Sequence, residues 1–311
     1  MQPLIIIYGP TAVGKTECAD LLAAQFPIEI INMDVGQLYV PLTIGTAKPD
    51  WKTNSIAHHL FDYLDKPVSW SVADYRQKIL EIIKEIRARG NTPVLVGGSS
   101  FYLKSLLFPP IQPSYLKKSI PPLPEETSDA WQLLLSIDPE RAKAIHPNDR
   151  YRIYRALELW YSTGSKPSQA KPTYSPPEPF LLIMLTRDRS ELYERINKRV
   201  EQMLEAGLIN EVKALLDTPW EPFLMEKKLI GYDDTLAYLR SEEQSKESYQ
   251  KLIKNIAQKT RQYAKRQIIF WRMLETKLNQ EFKKATQPLG KVISANLTLS
   301  PFDLYIKHLL S

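Results

Sequence analysis

Short runs of contiguous apolar residues recur along the chain at residues 4–8, 28–33, 93–96 and 180–185. Each is rich in β-branched side chains and too short for a buried helix, so each predicts a strand covered on both faces, as in a parallel sheet. Between them the spacing turns helical. Residues 17–26 follow the first run. Ser71-Val72-Ala73-Asp74 reads as a capping box that opens a helix running to about Arg89 and stopping at Gly90. Strands alternating with helices predict an α/β fold with a doubly wound parallel sheet. Further on, residues 191–216 predict a helix interrupted at Gly207, and residues 247–278 one long helix. The last thirty-odd residues carry no clear pattern, and no internal repeat is present.

Two windows break this rhythm. Residues 108–124 and 166–179 hold 6 and 5 of the 24 prolines, and the stretch between them, 125–163, has helical spacing. Two ordinary loops around a helical excursion would satisfy the pattern. An inserted, mainly helical lobe satisfies it better, because proline clusters flank both sides and a strand follows at once. The expected division is a core from 1–112 and 179–311, with the lobe at 113–178.

At 311 residues, 43% hydrophobic and 24% charged, the chain has enough apolar surface for a globular core. No apolar run approaches the roughly 18 residues that span a bilayer. The first strand begins at Leu4 with no leader pattern ahead of it. The one cysteine, Cys18, excludes an internal disulfide and a Cys-rich zinc module. These features predict a cytoplasmic protein without membrane attachment.

Gly9-Pro10-Thr11-Ala12-Val13-Gly14-Lys15-Thr16 follows a strand and precedes a helix, which is the full phosphate-binding loop in its required setting. Its glycines let backbone N–H groups converge on phosphate oxygens, and the helix directs its positive end there. Lys15 adds a mobile charge, and Thr16 a hydroxyl that can ligate Mg²⁺. The strand at 93–96 ends in Gly97-Gly98-Ser99-Ser100 without the carboxylate that phosphoryl-transfer motors place there. Instead the strand at 28–33 leads into Asp34. Carboxyl ends of strands gather around one crevice in such a sheet, so Asp34 and Ser99 are expected beside the loop. As a metal ligand, a general base or a turn residue, Asp34 is equally compatible with this pattern.

Arg195 and Arg199 lie four apart on one helix face. Their planar donor forks suit a pyrophosphate, although a solvated face paired with neighbours such as Glu191 explains the spacing more simply. Net charge is +6 and the isoelectric point about 9.1. The excess is concentrated: residues 251–272 hold Lys251, Lys254, Lys259, Arg261, Lys265, Arg266 and Arg272 with no acidic residue. These fall on roughly half the helix, opposite Leu252, Ile256, Tyr263, Phe270 and Trp271. A face of one sign predicts nucleic-acid contact rather than a solvated surface. Arg150, Arg152 and Arg155, interleaved with Tyr151 and Tyr154, form a second cluster that could stack on bases or pack in a core. His58 and His59 lack an evident catalytic partner, and Cys18 reads as packing.

In order along the chain, the phosphate loop, Asp34, Gln37-Leu38-Tyr39, Ile44-Gly45-Thr46-Ala47-Lys48-Pro49, His58-His59-Leu60, Leu95-Val96-Gly97-Gly98, Asn148-Asp149, Arg155-Ala156-Leu157-Glu158, Arg195-Ile196, Arg199, Ile230-Gly231-Tyr232 and residues 260–267 resemble the tRNA dimethylallyltransferases, also called tRNA isopentenyltransferases. The likeness extends to about Arg272, and residues 44–49 and 264–267 are its most specific strings. It implies transfer of a dimethylallyl group from dimethylallyl pyrophosphate to N6 of the adenosine 3′ of the anticodon in tRNA, with Mg²⁺ as cofactor and a monomer as the working unit. Asp34 would then be the base that takes the N6 proton, with Lys15, Thr11 and Arg199 as its catalytic companions. Residues 9–16, Arg195 and Arg199 would hold the pyrophosphate, and Thr16 the metal. Asp34, Val35, Gly36, Gln37, Ser99, Tyr151, Arg152, Arg155, Lys228, Gly231, Tyr232, Lys265, Arg266, Gln267 and Arg272 would contact the tRNA anticodon stem-loop, whose target base must flip out. Ser99 stands where the family usually has Thr, and Val35-Gly36 departs from its usual residues. A P-loop kinase of small molecules would share the sheet but has no need of the basic helix. A tRNA-binding protein without activity has no need of the intact loop and Asp34.

Overall fold

The computed structural model describes residues 2–110, 120–170, 172–242, 244–286 and 288–305. It contains two compact units, Met1–Leu106 with Pro176–Ser311, and Leu107–Ser175. The larger unit is built on a six-stranded, wholly parallel sheet of β1 (Leu4–Tyr8), β2 (Ile28–Asn32), β3 (His58–His59), β4 (Thr92–Gly97), β5 (Phe180–Thr186) and β6 (Gly290–Asn296), in the order β3-β2-β4-β1-β5-β6.

All five residues of β1 and of β2 are buried, which is why the sequence shows contiguous rather than alternating apolar runs. Strand β1 lies between β4 and β5, with Ile5 opposite Val94 on one side and Leu181 on the other. The phosphate loop that follows β1 is therefore carried by the middle of the sheet. Two strands escaped the sequence pattern. Strand β3 is two residues long, and β6 is an edge strand with one buried residue, Ala295. Gly290 in β6 packs against the tip of the Phe180 ring, where a Cβ would come within 2.3 Å.

Helix α1 (Lys15–Ala23) begins two residues earlier than the periodicity suggested, because the loop's Lys15 and Thr16 already belong to its first turn. Helix α2 (Val72–Ala88) has the expected capping box between Ser71 and Asp74. Helix α3 (Ser100–Leu107) follows β4. The smaller unit contains α4 (Thr127–Ile137), α5 (Pro139–Lys143) and α6 (Arg150–Thr163) around a core that includes Leu134, Ile145, Ile153 and Leu157. Asp138 and Asp149 cap α5 and α6 by accepting the N–H groups of Arg141 and Arg152. This unit starts and ends a few residues before the 113–178 span expected from the proline clusters, and residues 111–119 of the first cluster lie outside the described residues.

After β5 the larger unit continues with α7 (Arg189–Glu205) and α8 (Leu208–Lys213), separated at Gly207, whose φ of 102° breaks the helix. Helices α9 (Trp220–Lys227), α10 (Tyr232–Leu239) and α11 (Lys246–Lys284) complete it. Helix α11 buries Leu252, Ile256 and Ala257 in a core shared with α7 to α10, and further along buries Ala264 in the core beneath the sheet. It thus runs from a helical subcore to the sheet itself. Among the described residues, no helix is long and apolar enough to cross a membrane.

Candidate active site

The phosphate loop is held from outside by three side chains acting on the backbone of three consecutive residues. Gln267 of α11 accepts the Thr11 N–H at 3.0 Å, Arg195 of α7 donates to the Ala12 carbonyl at 2.8 Å, and Arg187 donates to the Val13 carbonyl at 2.8 Å. Gly14, in the left-handed region at φ 111°, turns the chain into α1 so that the helix's first N–H groups face the cleft. Lys15 folds over the loop and donates to the carbonyls of Gly9 and Pro10 at 3.2 and 3.0 Å. Burial pulls its pKa down to about 8; Asp34 opposes this and Arg199 adds to it. Thr16 is exposed at the head of α1.

Asp34 stands just beyond the end of β2. Its backbone is gripped by buried Asn32, whose Oδ1 accepts the Asp34 N–H and whose Nδ2 donates to the Asp34 and Leu60 carbonyls. The Gly36 N–H donates to Asp34 Oδ1 at 3.1 Å. Burial raises the Asp34 pKa, while Lys15, the Gly36 N–H and Arg199 pull the other way. Arg199 is itself buried enough to lose some basicity, with Asp34 and Glu17 supporting its charge. One carboxylate thus faces two cations, which can oppose charge on a departing anion while the carboxylate accepts a proton.

These groups line one cleft of about 830 Å³, shared with Thr11, Gln37, residues 46–49, His58, Phe61, Val96, Gly97, Arg195 and Gln202. The strip from Thr43 to Gly45 on its rim is fixed by Glu211, which accepts three consecutive N–H groups and the Tyr232 hydroxyl. Lys48, beneath the same strip, donates to the Tyr39 carbonyl at 2.7 Å and pairs with Asp62. Gln37 Nε2 donates to the carbonyls of Thr46 and Ala47. His59 pairs with buried Glu29, whose carboxyl is held down to about 2, mainly by Arg89. His58 lies on the cleft wall with Nδ1 at 2.7 Å from the Ile56 carbonyl, and Cys18 is buried in the core.

The model of the IPP transferase family matches residues 37–274, well over half of the chain. The chain belongs to the IPP transferase family. It is similar to the tRNA dimethylallyltransferase of Petrotoga mobilis, with 40% identity over 285 residues, covering 88% of this chain and 92% of that protein. It is also similar to that of Thermotoga maritima, with 37% identity over 86% of this chain and 89% of that one. Among solved structures, a eukaryotic dimethylallyltransferase acting on tRNA superposes with a TM-score of 0.81 at 27% identity, covering 100% of this chain and 78% of that one. The tRNA delta(2)-isopentenylpyrophosphate transferase of Staphylococcus epidermidis gives a TM-score of 0.62 at 30% identity, covering 99% and 98%.

In this IPP transferase the residues expected to touch RNA differ in exposure, with Asp34, Val35 and Gln37 partly buried. Lys228, Lys265, Arg266 and Arg272 are exposed in the larger unit; Tyr151, Arg152 and Arg155 are exposed in the smaller one. Gly36, Ser99, Gly231, Tyr232 and Gln267 are buried. The Tyr232 hydroxyl is taken by Glu211, and both the oxygen and the nitrogen of the Gln267 amide have partners inside the chain. The basic face of α11 is also narrower than its sequence suggests. Lys259 is paired with Asp234 at 2.8 Å and Asp233 at 3.4 Å, and Arg261 donates to Asn197. Arg195 is partly a scaffold residue, since its Nε holds the phosphate loop and its other end reaches Glu17 at 3.6 Å. Arg187 and Glu211 carried no signal in the sequence, because each acts on backbone groups that folding brings from afar; Asn32 joins its local grip on Asp34 to a contact with the distant Leu60 carbonyl.

Proposed function

We propose that this protein transfers the dimethylallyl group of dimethylallyl pyrophosphate to N6 of the adenosine 3′ of the anticodon in tRNA. The observation that carries the reading is the Asp34 carboxylate, held at the end of β2 in the same cleft as Lys15 and Arg199. The family and its tRNA-modifying relatives name the chemistry that such an arrangement serves.

The phosphate loop, Lys15 and Arg199 bind the pyrophosphate and oppose the charge that grows on it as the bond from carbon to oxygen breaks. N6 attacks the same carbon, and Asp34 takes the proton that N6 must lose. The rise in the Asp34 pKa makes it a stronger base than an ordinary aspartate. Its closeness to the two cations keeps the ionised form accessible. Thr16 fits a Mg²⁺ site: its hydroxyl is exposed at the head of α1, and this cation needs few protein ligands when phosphates and water complete its shell. Bound there, Mg²⁺ would supply further positive charge against the pyrophosphate. Lys265, Arg266 and Arg272 on the outer face of α11, with Lys228, supply cations for the RNA backbone. We place the protein in the cytoplasm, acting as a monomer.

Incubation with tRNA, Mg²⁺ and labelled dimethylallyl pyrophosphate, followed by nucleoside analysis, should yield N6-(dimethylallyl)adenosine. Transfer of phosphate from labelled ATP to a small molecule, with no prenylated nucleoside, would refute the proposal.

A further inference from the structure

Gln267 is a polar side chain in the apolar seam of a long helix, only 3% exposed, and the chemistry above makes no use of it. Its Oε1 accepts the N–H of Thr11 at 3.0 Å, and its Nε2 donates to the Gly98 carbonyl at 2.8 Å. The partners fix which way the amide points, since an N–H can only donate and a carbonyl can only accept. The backbone carbonyl of Gln267 meets the Tyr8 hydroxyl at 3.3 Å, and that hydroxyl lies 2.7 Å from Ser100 Oγ. One residue of α11 therefore ties the end of β1, the first half of the phosphate loop and the end of β4 together.

The contact with Thr11 completes the grip on the Pro10–Thr11 peptide, whose carbonyl is met by Lys15 at 3.0 Å and by the Val13 N–H at 3.4 Å. Pro10, just before Thr11, has no N–H, and the next two residues, Ala12 and Val13, are steadied through their carbonyls by Arg195 and Arg187. Gly98 accommodates the contact: a Cβ there would come 2.2 Å from Gln267 Nε2. A glycine at 98 and a glutamine at 267 are thus two halves of one device.

We infer that Gln267 is a positioning residue for the pyrophosphate site, setting the orientation of the phosphate loop through the Thr11 peptide rather than contacting RNA. This rests on the loop being the seat of the donor pyrophosphate. Without the amide, the Thr11 N–H and Gly98 carbonyl lose their partners, and the loop no longer arrives preorganised for the anion.

Gln267→Met keeps length and burial and removes both hydrogen bonds. It should weaken binding of inorganic pyrophosphate with Mg²⁺, measured by calorimetry without RNA, by about tenfold or more. The KM for dimethylallyl pyrophosphate should rise in step, with tRNA affinity unchanged. Gly98→Ala, which pushes the amide aside without shortening it, should reproduce the loss in the native background and add little to Gln267→Ala. A Gln267→Met protein that binds pyrophosphate normally but melts earlier, or that loses only tRNA affinity, overturns the inference and leaves the donor site intact. Should the native protein fail to bind pyrophosphate at all, the donor-site reading falls and this inference with it.

Discussion

Asn32 holds Asp34 through the backbone groups on both sides of its Cα. It accepts the Asp34 N–H at 2.8 Å and donates to the Asp34 carbonyl at 3.0 Å, while remaining fully buried itself. The Tyr75 hydroxyl secures Asn32 in turn through its backbone carbonyl at 2.5 Å. The carboxylate is therefore aimed by a rigid arm and not by a flexible loop. Asn32→Ala should leave the Asp34 and Leu60 groups without partners, costing about 1–3 kcal/mol of stability. Misplacement of the base should also lower the single-turnover rate by about 10²-fold. Thermal melting and rapid-quench kinetics on the same preparation check the two effects together.

Asp34→Asn should slow transfer by about 10²–10⁴-fold with both substrates still bound. The rate of the native protein should fall as pH drops through the Asp34 pKa, which lies above the ordinary aspartate value because of burial. That acid limb should vanish in the variant. The sign for stability follows from the same shift. A carboxyl whose folded pKa is raised contributes stability at low pH, lost as pH rises through that value. Ionised Asp34 is thus a cost to the fold at neutral pH, and Asp34→Asn should melt higher than the native protein while being far less active. A variant that binds donor or Mg²⁺ poorly but transfers at the native rate would make Asp34 a metal-shell residue.

Lys15, with its pKa lowered to about 8 by burial, carries its charge below that pH and loses it above. A bound pyrophosphate favours the charged form, so donor binding near pH 8 should take up protons, and affinity should decline as pH rises further. Calorimetry in two buffers of different ionisation enthalpy measures the uptake. Lys15→Met should abolish it and reduce turnover by at least about 10²-fold, with tRNA affinity unaffected.

On helix α11 the cations are not equivalent. Lys265→Glu with Arg266→Glu should weaken tRNA binding and flatten its salt dependence, by roughly 0.7–0.9 in the log–log slope for each lost phosphate contact. Lys259→Met, by contrast, breaks pairs with Asp233 and Asp234. It should lower melting temperature and leave the salt slope alone. Equal slopes for the double variant and the native protein would make residues 265 and 266 a solvated face.

The sheet's inner strands, the phosphate loop, the capping box at Ser71 and the break at Gly207 were legible in the sequence because each depends on neighbours a few residues away. Contiguous apolar runs, a capping pair three residues apart and a helix-breaking glycine are local statements, and local physics decides them. Strand β6 was not legible, since an edge strand with one buried residue has no apolar run to display. The site divides in the same way. Asp34, Lys15 and Arg199 could be named from motif and resemblance, but only the fold placed them around one cleft. Gln267, Tyr232 and Lys259 carry the residue types of an RNA surface, yet each is committed to a partner within the chain: Gln267 to Thr11 and Gly98, Tyr232 to Glu211, Lys259 to Asp233 and Asp234. A residue's type states which interactions it can make. Which of them it does make depends on the groups that long-range packing brings within hydrogen-bonding distance, and that is settled only when the strands and α11 are in place.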